Sequence, residues 1–156
     1  MLEVEIPGET TLNLKYLVLD YNGTLAEDGK CSKKVKELVK KLSEKMEVFI
    51  LTADTYGTAS EELKDIPVKF YKVDPIDGGE DKKNFVEKLG AEFVACIGNG
   101  KNDVKMIKTA RLSIAVIGRE GAYRESIINA QIVVFSPEDA LNLLLNPKRL
   151  IATLRK

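Results

Sequence analysis

The 156 residues are 44% hydrophobic and 31% charged, the balance of one soluble globular domain, spanning residues 1–156, with a core of ordinary size. Lys plus Arg equals Asp plus Glu at 24 each, so no net field draws the chain towards nucleic acid or an anionic membrane. His is absent, which excludes His-based acid–base chemistry, Ser-His-Asp triads and most transition-metal sites. No apolar run approaches the roughly 20 residues that cross a bilayer. Met1-Leu2-Glu3-Val4-Glu5 is acidic and lacks a signal-peptide apolar region, so a cytoplasmic location is expected. Cys31 and Cys96 lack metal-ligand spacing and read as reduced thiols.

In chain order, Val4 to Ile6 and Thr11 to Leu14 flank Pro7-Gly8-Glu9, which predicts a hairpin. Tyr16 to Leu19 is an apolar strand that ends in Asp20, and Asn22-Gly23 suits a turn. Ser32 caps a predicted helix to about Lys45, with Val35, Leu38, Val39 and Leu42 on one face. Glu47 to Leu51 is a second buried strand, Thr55 to Leu63 a helix, and Val68 to Val73 a third strand, also read as buried. Asp81 to Leu89 is a helix stopped by Gly90, followed by a strand at Phe93 to Ile97. A short helix at Asp103 to Thr109, a strand at Leu112 to Ile117, a helix at Ala122 to Asn129 and a strand at Ile132 to Phe135 come next. Pro137 opens a last helix that Pro147 interrupts. Strands alternating with helices predict a three-layer α/β/α, Rossmann-like, largely parallel sheet with a small N-terminal β-hairpin.

Polar groups follow successive strands: Asp20 with Asn22 and Thr24, then Thr52, then Lys82, then Gly98-Asn99-Gly100-Lys101-Asn102-Asp103. In a parallel sheet all strand carboxyl ends share one edge, so these groups can converge there. Asp20 offers a nucleophile, Thr52 a hydroxyl donor and Lys82 a positive charge. The oxygens of Asp20, Asn99 and Asp103 suit a hard cation such as Mg²⁺. Each group alone has a plainer reading as a cap, a turn former or a solvated helix face. Their order relative to the strands sets them apart.

The set resembles the haloacid-dehalogenase-like (HAD) phosphohydrolase superfamily over nearly the whole chain. Asp20 to Thr24 follows its Asp-x-Asp-x-Thr motif except at the middle position, and Thr52 matches the Thr or Ser after the next strand. Lys82, Val86 and Leu89 reproduce the spacing of P-type ATPases, with Lys83 as the fallback lysine. Gly98 to Asp103 follows the pumps' Gly-Asp-Gly-x-Asn-Asp with one change, and Lys108 to Gly118 is also similar to them. The nearest likeness is to soluble P-type-ATPase-like phosphatases. The resemblance implies that Asp20 becomes an aspartyl phosphate. It implies phosphate contacts from Asn22, Gly23, Thr52, Ala53, Lys82 and Asn102. It also implies Mg²⁺ held by Asp20, the Asn22 carbonyl, Asn99 and Asp103.

Two residues depart from the family pattern. Asn22 stands where the family's acid–base Asp is usual, and an amide cannot take a proton from water, so slow phosphoenzyme turnover is expected. Asn99 stands at a metal-binding Asp, so weak Mg²⁺ binding is expected, tightened by Asn99→Asp, with Asp103 carrying more of the cation. Both Asn residues precede Gly and are prone to deamidation. The gaps from Thr24 to Thr52 and from Thr52 to Lys82 are too short for a cap domain, so the site is expected to be capless. Either the Val4 to Leu14 hairpin or the Tyr71 to Glu80 loop could then serve as a lid, or a neighbouring subunit of a homo-oligomer could close the site. The expected partner is a phosphorylated small molecule or macromolecule, with no nucleic acid and no membrane. Two other readings stay open: a capless tetrameric sugar-phosphate phosphatase, and a non-catalytic phosphate-binding module. A response-regulator receiver is disfavoured, because Asp20 lacks an acidic neighbour.

Overall fold

The computed structural model describes residues 1–53 and 57–156. The chain opens with β1 (Leu2–Glu5) and β2 (Thr11–Leu14), an antiparallel pair joined only to each other, and passes through Lys15 into β3 (Tyr16–Asp20). A two-stranded ribbon follows, β4 (Ala26–Glu27) and β5 (Lys30–Cys31), then α1 (Lys33–Ser43) and β6 (Glu47–Thr52). Next come α2 (Thr58–Glu62), β7 (Lys69–Lys72), α3 (Gly78–Leu89) and β8 (Val94–Gly98). A 3-10 turn at Lys101–Asp103 leads into α4 (Val104–Thr109) and β9 (Leu112–Val116). The chain closes with α5 (Arg124–Asn129), β10 (Ile132–Val134), α6 (Pro137–Leu145) and α7 (Pro147–Leu154). The main sheet has the order β10-β9-β8-β3-β6-β7, and every pairing in it is parallel.

Alternation along the strands builds the layers, because successive strand side chains point to opposite faces. Leu17, Leu19, Val48, Ile50, Ala95 and Ile97 join the larger core with α1 and α6. Val18, Leu51 and Cys96 join the smaller core with Val86 of α3 and Met106 of α4. Asp20 lies two residues past Val18, so its side chain belongs to the face that α3 and α4 cover. Burying one Leu side chain contributes about 2 kcal/mol, so this two-sided packing fixes the central strand firmly.

Ser32 caps α1 as expected, its Oγ accepting from the Val35 amide at 3.1 Å. Ser136 caps α6 in the same way for Asp139, with Pro137 in the first turn. Other expectations need correction. The helix expected at Thr55 to Leu63 is seen from Thr58, and Thr55 lies outside the described residues. Strand β7 is an exposed edge strand, not a buried one, and its Lys69 and Lys72 discourage further pairing. Helix α3 begins at Gly78, three residues before the expected start. Asp74 folds the chain into it by accepting from the amides of Ile76 (2.7 Å) and Asp77 (3.0 Å).

Of the two candidate lids, the β1–β2 hairpin lies at the amino end of the sheet, away from the carboxyl edge. The β1–β2 hairpin runs straight into the amino end of β3, and the N-terminal amine donates to the Lys45 carbonyl (2.8 Å) beside the start of β6. Its Leu2, Val4, Leu12 and Leu14 are core residues. The Tyr71 to Glu80 stretch is half strand and helix, and its loop, residues 73–77, leaves the carboxyl end of β7 and leads into α3. The element that does rise beside Asp20 is the β4–β5 ribbon, turned by Asp28 (φ 52°) and Gly29 (φ 81°). Tyr21, fully buried, donates its hydroxyl to the Gly29 carbonyl at 3.0 Å and holds that turn down.

Candidate functional site

Three charged side chains meet at the end of the central strand. Lys82 Nζ, from the second turn of α3, donates to Asp20 Oδ1 at 2.9 Å and to Asp103 Oδ1 at 2.8 Å. Lys82 is 1% exposed and Asp103 fully buried, whereas Asp20 keeps 8% of its surface open. The other Asp103 oxygen, Oδ2, accepts from the amides of Asn99 and Gly100, both at 2.9 Å. Gly98 makes this possible: a Cβ there would stand 2.6 Å from the Asp103 carboxyl carbon. The fallback residue Lys83 lies on the outer face of α3 near Glu80 and Glu87, each at 3.9 Å.

Two buried carboxylates share one ammonium, so the cluster is neutral while Asp20 holds a proton and negative once it is lost. Burial first, and the Asp103 carboxylate second, raise the Asp20 pKa from an ordinary 3.8 to about 7, with Lys82 opposing the rise. Burial works against the Lys82 ammonium, but Asp20 and Asp103 outweigh it and hold the lysine charged above its usual range. Burial pushes the Cys31 thiol up to about 11 and raises Cys96 further, so neither free cysteine is a nucleophile near neutral pH.

Thr24 is 2% exposed, and its hydroxyl lies 3.2 Å from Asp20 Oδ2 and 3.1 Å from Asn99 Oδ1. One hydroxyl proton serves one acceptor at a time, so this pair of oxygens is short of positive charge. The Asn99 amide is oriented by its other end, where Nδ2 donates to the Gly121 carbonyl at 3.3 Å. Asn22 is exposed in the turn after Asp20. Gly23, at φ 77°, packs so closely under Asn99 that a Cβ would lie 2.6 Å from Asn99 Nδ2. Thr52 closes β6, one residue past Leu51, the register partner of Asp20, and Ala53 follows it. Asn102 is set against the start of α3, where a Cβ on Gly79 would meet its backbone oxygen at 3.5 Å. The predicted groups thus gather at one edge, with the Asp103 carboxylate tied to Lys82 and two amides rather than facing outwards. Among the described residues no group of three or more Cys, Asp or Glu is arranged to hold a metal, and no helix is long and apolar enough to cross a membrane.

Sequence reasoning missed two neighbours of the site. One is the β4–β5 ribbon, for which Asp28-Gly29 was the available turn signal. The other is the turn Gly118–Gly121, which docks on Asn99 and Gly23. A cleft of about 650 Å³ runs between them, lined by Gly23, Thr24, Lys30, Arg119, Phe135 and Glu138 among others. It reaches the site only through Gly23 and Thr24: none of Asp20, Thr52, Lys82, Asn99 and Asp103 lines it.

No protein-family model matches the chain. An uncharacterized protein of Methanocaldococcus jannaschii is 52% identical over 62 residues, 40% of this chain and 67% of that protein. A second uncharacterized protein of the same organism is 51% identical over 39 residues, 25% of this chain and 89% of its own length. Among solved structures, the 3-deoxy-D-manno-octulosonate 8-phosphate phosphatase of Moraxella catarrhalis, in complex with magnesium, phosphate and a KDO molecule, superposes with a TM-score of 0.73 at 15% identity, covering 92% of this chain and 95% of that one. The cobalt-bound deoxy-D-mannose-octulosonate 8-phosphate phosphatase of Haemophilus influenzae gives 0.72 at 14%, covering 92% and 94%. A Legionella pneumophila protein described as a HAD superfamily (subfamily III A) hydrolase gives 0.72 at 16%, covering 91% and 87%. The chain belongs to the same family as the two Methanocaldococcus jannaschii proteins, and its fold is the HAD hydrolase fold.

Proposed function

We propose that this protein is a phosphatase that acts on phosphate monoesters through an aspartyl phosphate on Asp20. The observation that carries this reading is the buried Lys82 Nζ, 2.9 Å from Asp20 Oδ1 at the end of the central strand. One Asp20 oxygen is held by Lys82 and the other by the Thr24 hydroxyl, so the nucleophile is fixed before substrate arrives. Lys82 is held in turn by Asp103, which keeps its ammonium beside the phosphoryl oxygens as charge develops on them. Thr52 completes the phosphate contacts, with Asn22, Ala53 and Asn102 at the rim, while the Gly23 and Thr24 amides are engaged within their own turn.

The donor set fits Mg²⁺. Asp20 Oδ2 and Asn99 Oδ1 compete for one hydroxyl proton, and both are hard oxygens. Asp20, Asn99 and the Asn22 carbonyl would hold the ion, with Asp103 behind them as a positioning group. When bound, Mg²⁺ supplies charge neutralisation for the incoming phosphate. With Asp20 and Asp103 offset by Lys82 alone, the protein brings little net negative charge to the cation, so weak Mg²⁺ binding in the absence of phosphate is part of this reading.

The Asn99-Gly100-Lys101-Asn102-Asp103 loop and the Lys82 spacing favour the soluble P-type-ATPase-like phosphatases as the nearest branch. The fold likeness makes sugar-acid phosphates, named for the Moraxella neighbour, the first substrates to try. The test is hydrolysis of an aryl phosphate with Mg²⁺ by the parent and by Asp20→Asn. Activity is expected in the parent and a loss of at least about 10³-fold in the variant. Equal activity in both proteins removes Asp20 from its role, and no activity with any divalent metal favours a non-catalytic phosphate-binding module.

A further inference from the structure

Hydrolysis of an aspartyl phosphate needs one more group. Water must lose a proton as it attacks the phosphorus, and the side chain at position 22 is an amide. We propose that Glu120 supplies the missing carboxylate as the general base for this step. The inference rests on the reading of Asp20 as nucleophile.

The turn that carries Glu120 is anchored to the site. The Gly121 amide donates to the Gly118 carbonyl at 2.9 Å and closes the turn. The Asn99 side chain donates to the Gly121 carbonyl, and the Tyr123 amide donates to the Asn99 carbonyl at 2.7 Å. Fully buried Ser126 donates its hydroxyl to the Gly100 carbonyl at 2.6 Å. On the other side, a Cβ on Gly118 would lie 3.6 Å from the Gly23 carbonyl. These contacts set the turn on Gly23, the residue that follows Asn22.

Glu120 then reaches over Gly23. Its Oε2 lies 3.0 Å from the point where a Gly23 Cβ would be, and Asn99 Nδ2 lies 2.6 Å from the same point. The carboxylate and the Asn99 amide therefore share the space above the turn that begins at Asp20. Neighbouring Arg119 is engaged elsewhere, its Nε 2.6 Å from Glu27 on the β4–β5 ribbon. Glu120 is exposed, so its carboxylate can meet water and pass a proton on. In the step, the water oxygen bonds to phosphorus while the bond from phosphorus to the Asp20 oxygen breaks. The bonding pair returns to the Asp20 carboxylate, the water proton passes to Glu120 and then to solvent, and inorganic phosphate leaves.

Rapid-quench kinetics with an aryl phosphate and Mg²⁺ separate the two halves of the reaction. A burst of aryl alcohol reports transfer to Asp20, and the following release of phosphate reports hydrolysis. Glu120→Gln is expected to keep the burst and to slow phosphate release at least about 10-fold. In an Asn22→Asp background the same change should cost less than about twofold, because two bases acting on one proton are not additive. Phosphate release unchanged by Glu120→Gln overturns the proposal, as does an equal loss of burst and release, which would mark a structural role. Turnover in the parent with no phosphoryl group on Asp20 after acid quench overturns the nucleophile reading itself, a different result.

Discussion

Asp20 is costly where it stands. It shares one ammonium with Asp103 in a dry cluster, and the folded protein answers by holding its proton to about pH 7, against 3.8 for an ordinary Asp. The folded state therefore binds the proton more tightly than the unfolded chain between these values. Its contribution to stability is full below about pH 4 and is lost as pH rises through about 7. Asp20→Asn removes the charge and keeps the shape. In metal-free thermal melts the parent should lose Tm between about pH 5 and about pH 8, and Asp20→Asn should lose less and be the more stable protein at the upper end. A parent whose Tm rises over that interval contradicts the burial argument. At this scale the sequence was informative: the order of Asp20, Thr52, Lys82 and Asp103 behind their strands pointed to one edge. What it could not reveal was partnership. The Asp103 carboxylate serves Lys82 and two amides because the backbone at Gly98 passes within touching distance, and no local pattern records that.

Elements set these partnerships. β3 ends where Asp20 faces the α3 and α4 side, α3 delivers Lys82 from its second turn, and the 3-10 turn before α4 delivers Asp103. Gly98 is the joint between β8 and that turn. Gly98→Ala would drive a methyl into the Asp103 carboxyl group, whose carbon lies 2.6 Å from where that methyl would stand, and so separate it from Lys82. A loss of about 3 kcal/mol in urea unfolding is expected, from the unpaired buried charges, with loss of phosphatase activity in the folded fraction. Wild-type stability in this variant would mean that the cluster tolerates the shift. Strongly periodic elements such as α1 were legible because Val35, Leu38, Val39 and Leu42 mark one face. The start of α3 was not, since Gly78 and Gly79 are poor helix formers whose value is close approach to Asn102. β7 misled for a different reason: Val68 to Val73 read as a buried strand, yet it closes the sheet at an edge and leaves Phe70 and Tyr71 exposed.

Across the whole molecule, stability and chemistry occupy opposite ends of the sheet. The β1–β2 hairpin and α7 close the core at or near the amino end, while the ribbon, the Gly118–Gly121 turn and the cleft surround the carboxyl edge. Changes at the amino end should therefore act on folding alone. Leu14→Ala, at a fully buried hairpin position, is expected to cost about 2–5 kcal/mol of unfolding free energy and to leave kcat of the folded protein unchanged. A drop in kcat at a temperature well below the variant's Tm would show that the two ends are coupled. The layered parallel fold was legible from alternating strand and helix patterns, but the placement of the hairpin at the far end was not, because only the single residue Lys15 between β2 and β3 decides it.

The proposed reaction turns on Asp20 accepting the phosphoryl group. Acid-quenching the protein during turnover of an aryl phosphate with Mg²⁺, followed by peptide mass spectrometry, tests it directly. The expected result is the added mass of one phosphoryl group on the peptide carrying Asp20, absent from Asp20→Asn. The same mass on another residue, or steady phosphate release with Asp20 never modified, would contradict it.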